Sequence, residues 1–88
     1  MYIYIENDIF INLKEIDLIM DYEIFIKEDC NKKILEKKRK KIIDLSIKEK
    51  GKRTIIFTKD FIYITSYVTR AIEMRAGEYE RLVNSIVF

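Results

Sequence analysis

The stretch TIIFTKDFIYITS (54–66) decides how the chain reads. Its halves, TIIFT and FIYIT, are rich in β-branched and aromatic residues and are separated by the polar pair Lys59-Asp60, so they read as the two strands of a hairpin. Directly after them the apolar period changes. Val68, Ala71, Ile72, Ala76, Tyr79, Leu82, Val83 and Ile86 recur at helical spacing, with Thr65 or Ser66 placed to cap the helix and Gly77 placed to end or bend it. A strand pair followed by an amphipathic helix sets the frame into which the rest must fit.

Upstream, MYIYIENDIFINL starts with the same alternation: Tyr2 and Tyr4 on one side, Ile3 and Ile5 on the other, a turn at Glu6-Asn7-Asp8, then Ile9, Ile11 and Leu13 on one face. This predicts a first hairpin. After a break at Lys14-Glu15, Ile16, Leu18, Met20 and Tyr22 share one face of a third strand, with Asp17 and Asp21 on its outer face. Residues 27–43 contain neither Gly nor Pro and consist mostly of good helix formers, which predicts a helix. Cys30, Ile34, Leu35, Ile42 and Leu45 form its apolar stripe, but Lys38 and Lys41 intrude on it. Either these lysines snorkel at the core rim or the helix lifts off near residue 37. Residues 44–53 read as a mobile basic loop. The expected order is β-β-β-α-β-β-α: a small α+β domain over 1–88, two hairpins with a central basic helix and a C-terminal amphipathic helix.

The 88 residues suffice for one small core, and a 49% apolar share with five Phe and six Tyr argues for a folded domain. No apolar run approaches the roughly 20 residues of a membrane span, and MYIYIEND lacks the basic start of a signal peptide, so a cytoplasmic protein is expected. Enzyme chemistry is not expected. The chain has no His, no nucleophile elbow and no glycine-rich phosphate loop, and its one thiol, Cys30, sits beside Glu28 and Asp29 in an anionic setting unsuited to a nucleophile. Glu6, Asp8, Asp17 and Asp21 read as solvated turn and strand carboxylates rather than metal ligands, and no cofactor or small-molecule substrate is implied.

Charge is where the sequence is unusual. The net charge is only +2, yet residues 1–30 carry two cations and eight anions, and residues 31–53 carry eleven cations and three anions. Such asymmetry points to an anionic partner. The helix segment KKILEKKRKK (32–41) places Lys32, Lys33, Lys37, Arg39 and Lys40 outward, which suits either a solvated face or a groove-facing one. The loop KEKGKR brings Lys48, Lys50, Lys52 and Arg53 around Gly51, where a glycine backbone can approach phosphates and the cations can neutralise them. Arg53 alone has the planar fork suited to a guanine edge. Tyr63 on its strand reads as core, and Arg70, Arg75 and Arg81, interspersed with Glu73, Glu78 and Glu80, read as local ion pairs of the last helix.

The opening MYI, Asp8 after the first turn, Lys14-Glu15-Ile16 followed by Ile19 and Asp21, and TIIFTKDFIYITS followed by Arg75-Ala76 together resemble the RemA/RemB family of bacterial extracellular-matrix (biofilm) regulators, most closely the RemB-type members. The resemblance spans residues 1–22 and 53–76. It departs at Tyr4 and Glu6, where the family has His and Gly, and at Thr65-Ser66, where it has Ser-Pro. What it implies is a DNA-binding transcriptional regulator that works as a homo-oligomer, a ring being one such assembly. The family's DNA-contacting arginine pair falls in the loop that here supplies Lys50, Lys52 and Arg53, and a further family arginine falls at Lys14 or Glu15. The expected DNA-contacting set is therefore Arg53, Lys52, Lys50, Lys48 and Lys14. The alternative is an interaction or scaffolding module in which the acidic first third of one copy meets the basic middle third of another.

Overall fold

Ile55 and Ile56 are neighbours in sequence, are both fully buried, and point into different cores, which makes the strand that carries them the centre of the molecule. The structure is a computed structural model, and it describes residues 1–77. It is an α+β domain with two sheets. A hairpin of β1 (Tyr2–Glu6) and β2 (Ile9–Asn12) leads through a 3-10 turn, Leu13–Glu15, into β3 (Ile16–Asp21). Two short helices follow, α1 (Tyr22–Ile26) and α2 (Asp29–Lys37), then a second 3-10 turn, Arg39–Lys41, and β4 (Ile42–Asp44). The second hairpin is β5 (Thr54–Thr58) and β6 (Ile62–Thr65), and a final helix, α3, begins at 69 and runs to 77 within the described residues.

The second sheet has the order β3-β5-β6-β4, antiparallel except for the parallel pair β4–β6. One face packs Ile56 against Ile3, Ile5 and Ile11 of the first hairpin and Ile72 of α3. The other packs Ile55, Ile62 and Ile64 against Phe25 of α1, with Leu35 of α2 at the margin. No helix among the described residues is long and apolar enough to cross a membrane.

Both expected hairpins are present, each for a local reason. Asn7 and Asp8 have φ of 53° and 62°, the pair of left-handed residues that a two-residue turn requires and that Asn and Asp tolerate best. At the second turn Thr58 Oγ1 donates to the Phe61 carbonyl at 2.8 Å and accepts from the Phe61 amide at 3.1 Å. Asn12 Oδ1 accepts from the Lys14 amide, which shapes the break before β3.

Three expectations need correction. The helix expected over 27–43 is two helices and a strand. Asp21 Oδ1 caps α1 by accepting from the Ile24 amide, so helix starts earlier than expected, and the chain breaks again at Lys27-Glu28. At the other end Ile42 and Ile43, β-branched and weak in a helix, pair with Ile62 and Tyr63 and form one edge of the sheet. Cys30 and Ile34 of the expected stripe are exposed. In β3, a register shift between Ile16 and Leu18 breaks the expected face: Ile16 and Ile19 join one core, Met20 the other, and Leu18 is 45% exposed. Thr65 and Ser66 do not cap the last helix, because their hydroxyls bind Glu6 instead. Tyr79, Leu82, Val83 and Ile86 of that expected helix, with Arg81, lie outside the described residues.

Ile72 is the described α3 residue with no exposed surface and touches the hairpin core, whereas Val68 is more than half exposed. Ile72→Ala is expected to lower unfolding free energy by about 2–5 kcal/mol and Val68→Ala by less than about 0.5 kcal/mol, as read by urea denaturation.

Candidate nucleic-acid interface

The basic loop spans the end of the sheet, running from the end of β4 to the start of β5, and is fixed at both ends by backbone bonds. On entry, the Leu45 amide donates to the Ile64 carbonyl at 2.7 Å. On exit, the Arg53 amide donates to the Thr65 carbonyl at 2.9 Å, and the Arg53 carbonyl accepts from the Tyr22 amide at 2.9 Å. Between these points the Lys50 and Gly51 amides both donate to the Ile47 carbonyl, and Gly51 takes φ 76°. A Cβ there would touch nothing within 4 Å, so the left-handed backbone, rather than space, favours glycine.

Thr65, to which the loop exit is tied, is itself held by a buried carboxylate. Glu6, 4% exposed, accepts from the Thr65 hydroxyl at 2.9 Å, from the Ser66 amide at 2.8 Å and from the Ser66 hydroxyl. Burial by itself pushes the Glu6 carboxyl up, but the hydrogen bonds from Ser66 and Thr65 and the positive charge of Lys50 outweigh it, and the group titrates below its ordinary value. Glu6 is therefore not the solvated turn carboxylate expected from the sequence. A register shift between Tyr4 and Glu6 brings it inward, and strict alternation cannot show such a shift. The one available signal was the pair of hydroxyl residues at the end of FIYITS.

The structure brings Lys48, Lys50, Lys52 and Arg53 together on this loop, all exposed, and leaves Lys14 out. Lys14 lies in the turn before Ile16, which pairs with Thr58, whereas Arg53 precedes Thr54, which pairs with Asp21. The two lie beyond opposite ends of the β3–β5 ladder, whose ends are roughly 13 Å apart at about 3.3 Å per residue. Two of the loop cations already have partners. Lys52 Nζ lies 3.5 Å from Asp44 Oδ2 and 5.8 Å from the centre of the Tyr22 ring, and Arg53 Nε donates to the Lys50 carbonyl at 3.3 Å. Desolvation pushes the Asp44 carboxyl up, but hydrogen bonds from the Ser46 hydroxyl and amide, together with Lys52, hold it below the ordinary range. Among the described residues Lys48 and Lys50 form no ion pair.

Beside the loop lies an open cleft of about 570 Å³, lined in part by Tyr4, Glu6, Asp8, Asp44 and Tyr67. Its carboxylates would repel a phosphate, so the cleft itself does not suit an anion. Arg75, expected to form local ion pairs on the last helix, also reaches the first hairpin, while Glu78 and Glu80 lie outside the described residues. Its Nη1 donates to the Tyr4 carbonyl at 2.8 Å, and its guanidinium stands 4.7 Å from the Tyr67 ring centre and 5.6 Å from that of Tyr4, fastening α3 to the first hairpin. Tyr63, read from the sequence as core, is partly buried and packs against the hairpin core.

No protein-family model and no curated protein matches this chain.

Because Glu6 titrates lower in the folded chain than in the unfolded one, its contribution is present above its ordinary value of 4.5 and is lost as the pH falls through the folded value. Glu6→Gln is expected to cost about 1–3 kcal/mol at pH 7. Urea melts of the variant at a series of pH values should also show less loss of stability below pH 4.5 than the parent shows.

Proposed function

We propose that this chain is a cytoplasmic DNA-binding transcriptional regulator of the extracellular-matrix regulator type, a homo-oligomer that lays the loop 48–53 against DNA phosphates. The observation that carries the reading is the loop itself: four cations in six residues, exposed around a left-handed glycine, on a segment whose two ends are bonded to the sheet. A segment tied in this way loses little further freedom on binding, and cations on it neutralise phosphates and release counterions. The resemblance to RemA/RemB proteins supports the same segment from an independent direction.

Within this reading the four cations have different roles. Lys48 and Lys50 are the phosphate contacts, since among the described residues neither is engaged by a carboxylate within ion-pairing distance. Lys52 contributes in competition with Asp44, and Arg53 contributes its terminal guanidinium nitrogens while Nε braces the loop. Lys14 is left out of this footprint because of its place at the far end of the sheet. Sequence preference arises from DNA shape and from repetition of a weak contact over several subunits.

Fluorescence anisotropy of a long AT-rich duplex, titrated with the protein at several salt concentrations, tests the reading. The parent is expected to bind with a log-log salt slope of several units. Lys48→Ala with Lys50→Ala should reduce that slope by about 0.9 for each phosphate no longer neutralised, and Lys14→Ala should leave it unchanged. Absence of binding by the parent at low salt would overturn the regulator reading in favour of an interaction module.

A further inference from the structure

Among the described residues, the order β3-β5-β6-β4 leaves the sheet open on both sides, and the two open sides differ in charge. Among the described residues, Asp17–Met20 of β3 and Ile43–Asp44 of β4 make no backbone bond outside the sheet. Neither strand has a fully buried residue, in contrast to β5 and β6 between them. Each outer edge is a row of amide and carbonyl groups open to another strand.

The direction of the strands makes the two edges complementary. β5 is antiparallel to β3, β6 is antiparallel to β5, and β4 is parallel to β6, so β3 and β4 run the same way. Ile16 pairs with Thr58 and Ile42 with Ile62, which places the starts of β3 and β4 at the same end of the sheet. At that end β3 carries exposed Asp17 and is preceded by exposed Glu15, with Lys14 and Lys59 as nearby cations, and β4 is preceded by exposed Lys38, Arg39, Lys40 and Lys41. At the other end Lys52 lies 3.5 Å from Asp44 and offsets its charge, which leaves Asp21, whose Oδ1 caps α1, as the acidic group there.

We propose that β3 of one copy of this chain pairs in parallel with β4 of the next, so that the sheet continues from subunit to subunit with Glu15 facing Arg39 and Asp17 facing Lys41. The exposed Leu18 side chain on β3 is covered in that contact. The interface is heterologous and generates a ring where its rotation closes and a filament where it does not. This rests on the homo-oligomer in the proposed function and names the surface that builds it. The loop 48–53 recurs once per subunit along the assembly.

Sedimentation velocity of the full chain at low ionic strength, with Asp17→Lys, Lys41→Glu and the double variant, tests the pairing. Circular dichroism confirms that each is folded. The parent should sediment as a species larger than the 10.7 kDa chain, each single variant should lose at least tenfold in association, and the double variant, with its charges exchanged, should regain it. A monomeric parent, single variants that keep the parent's mass, or a double variant that fails to recover would each overturn the proposal. The DNA titration separates this from the loop: a monomeric parent that binds duplex removes the edge pairing and the homo-oligomer but leaves the loop reading standing, and a charge-swapped assembly that binds none removes the loop reading alone.

Discussion

A buried carboxylate with no cation in direct contact is costly unless hydrogen bonds surround it, and Glu6 has three. Those three bonds are what joins the first hairpin to the end of β6. Through Thr65 they also reach the exit of the basic loop, since the Thr65 carbonyl accepts from Arg53. The Arg75 guanidinium between Tyr4 and Tyr67 braces the same junction from α3. The two isoleucine cores supply most of the burial, but they are not directional, and it is this polar junction that decides how the hairpin sits on the sheet.

The junction links fold to surface chemistry. The loop owes its placement to Leu45, Arg53 and Thr65, its turn to Gly51, and its charge to four exposed side chains. Lys50 serves both sides, because its charge helps keep Glu6 ionised while its ammonium group stays at the surface. Asp44 tempers the cluster by engaging Lys52, so the surface offered to an anion is weaker than the bare count of four cations suggests. A modest contact of this kind gains from repetition, which connects the loop to the open edges of the sheet.

Much of the fold was legible in the sequence. The alternation in MYIYI and TIIFT, the Asn7-Asp8 turn and the helical spacing after Ser66 are local signals, and each has a local cause in the structure. What escaped was non-local. β4 is three residues long and follows a run of good helix formers, and only the presence of β6 beside Ile42 and Ile43 makes it a strand. The register shifts in β1 and β3 move Glu6 inward and Leu18 outward against their expected phase. Of the candidate site, the loop cations were readable as a cluster, while the engagement of Lys52 by Asp44 and the distance of Lys14 depended on strand pairing that spacing does not reveal.

The most direct test of the central claim is an amide chemical-shift titration of the labelled protein with a short AT-rich duplex at low salt. The account predicts that the largest changes fall on the amides of Lys48, Lys50, Gly51 and Arg53. Changes confined to Lys37–Lys41, or none at all, would contradict it.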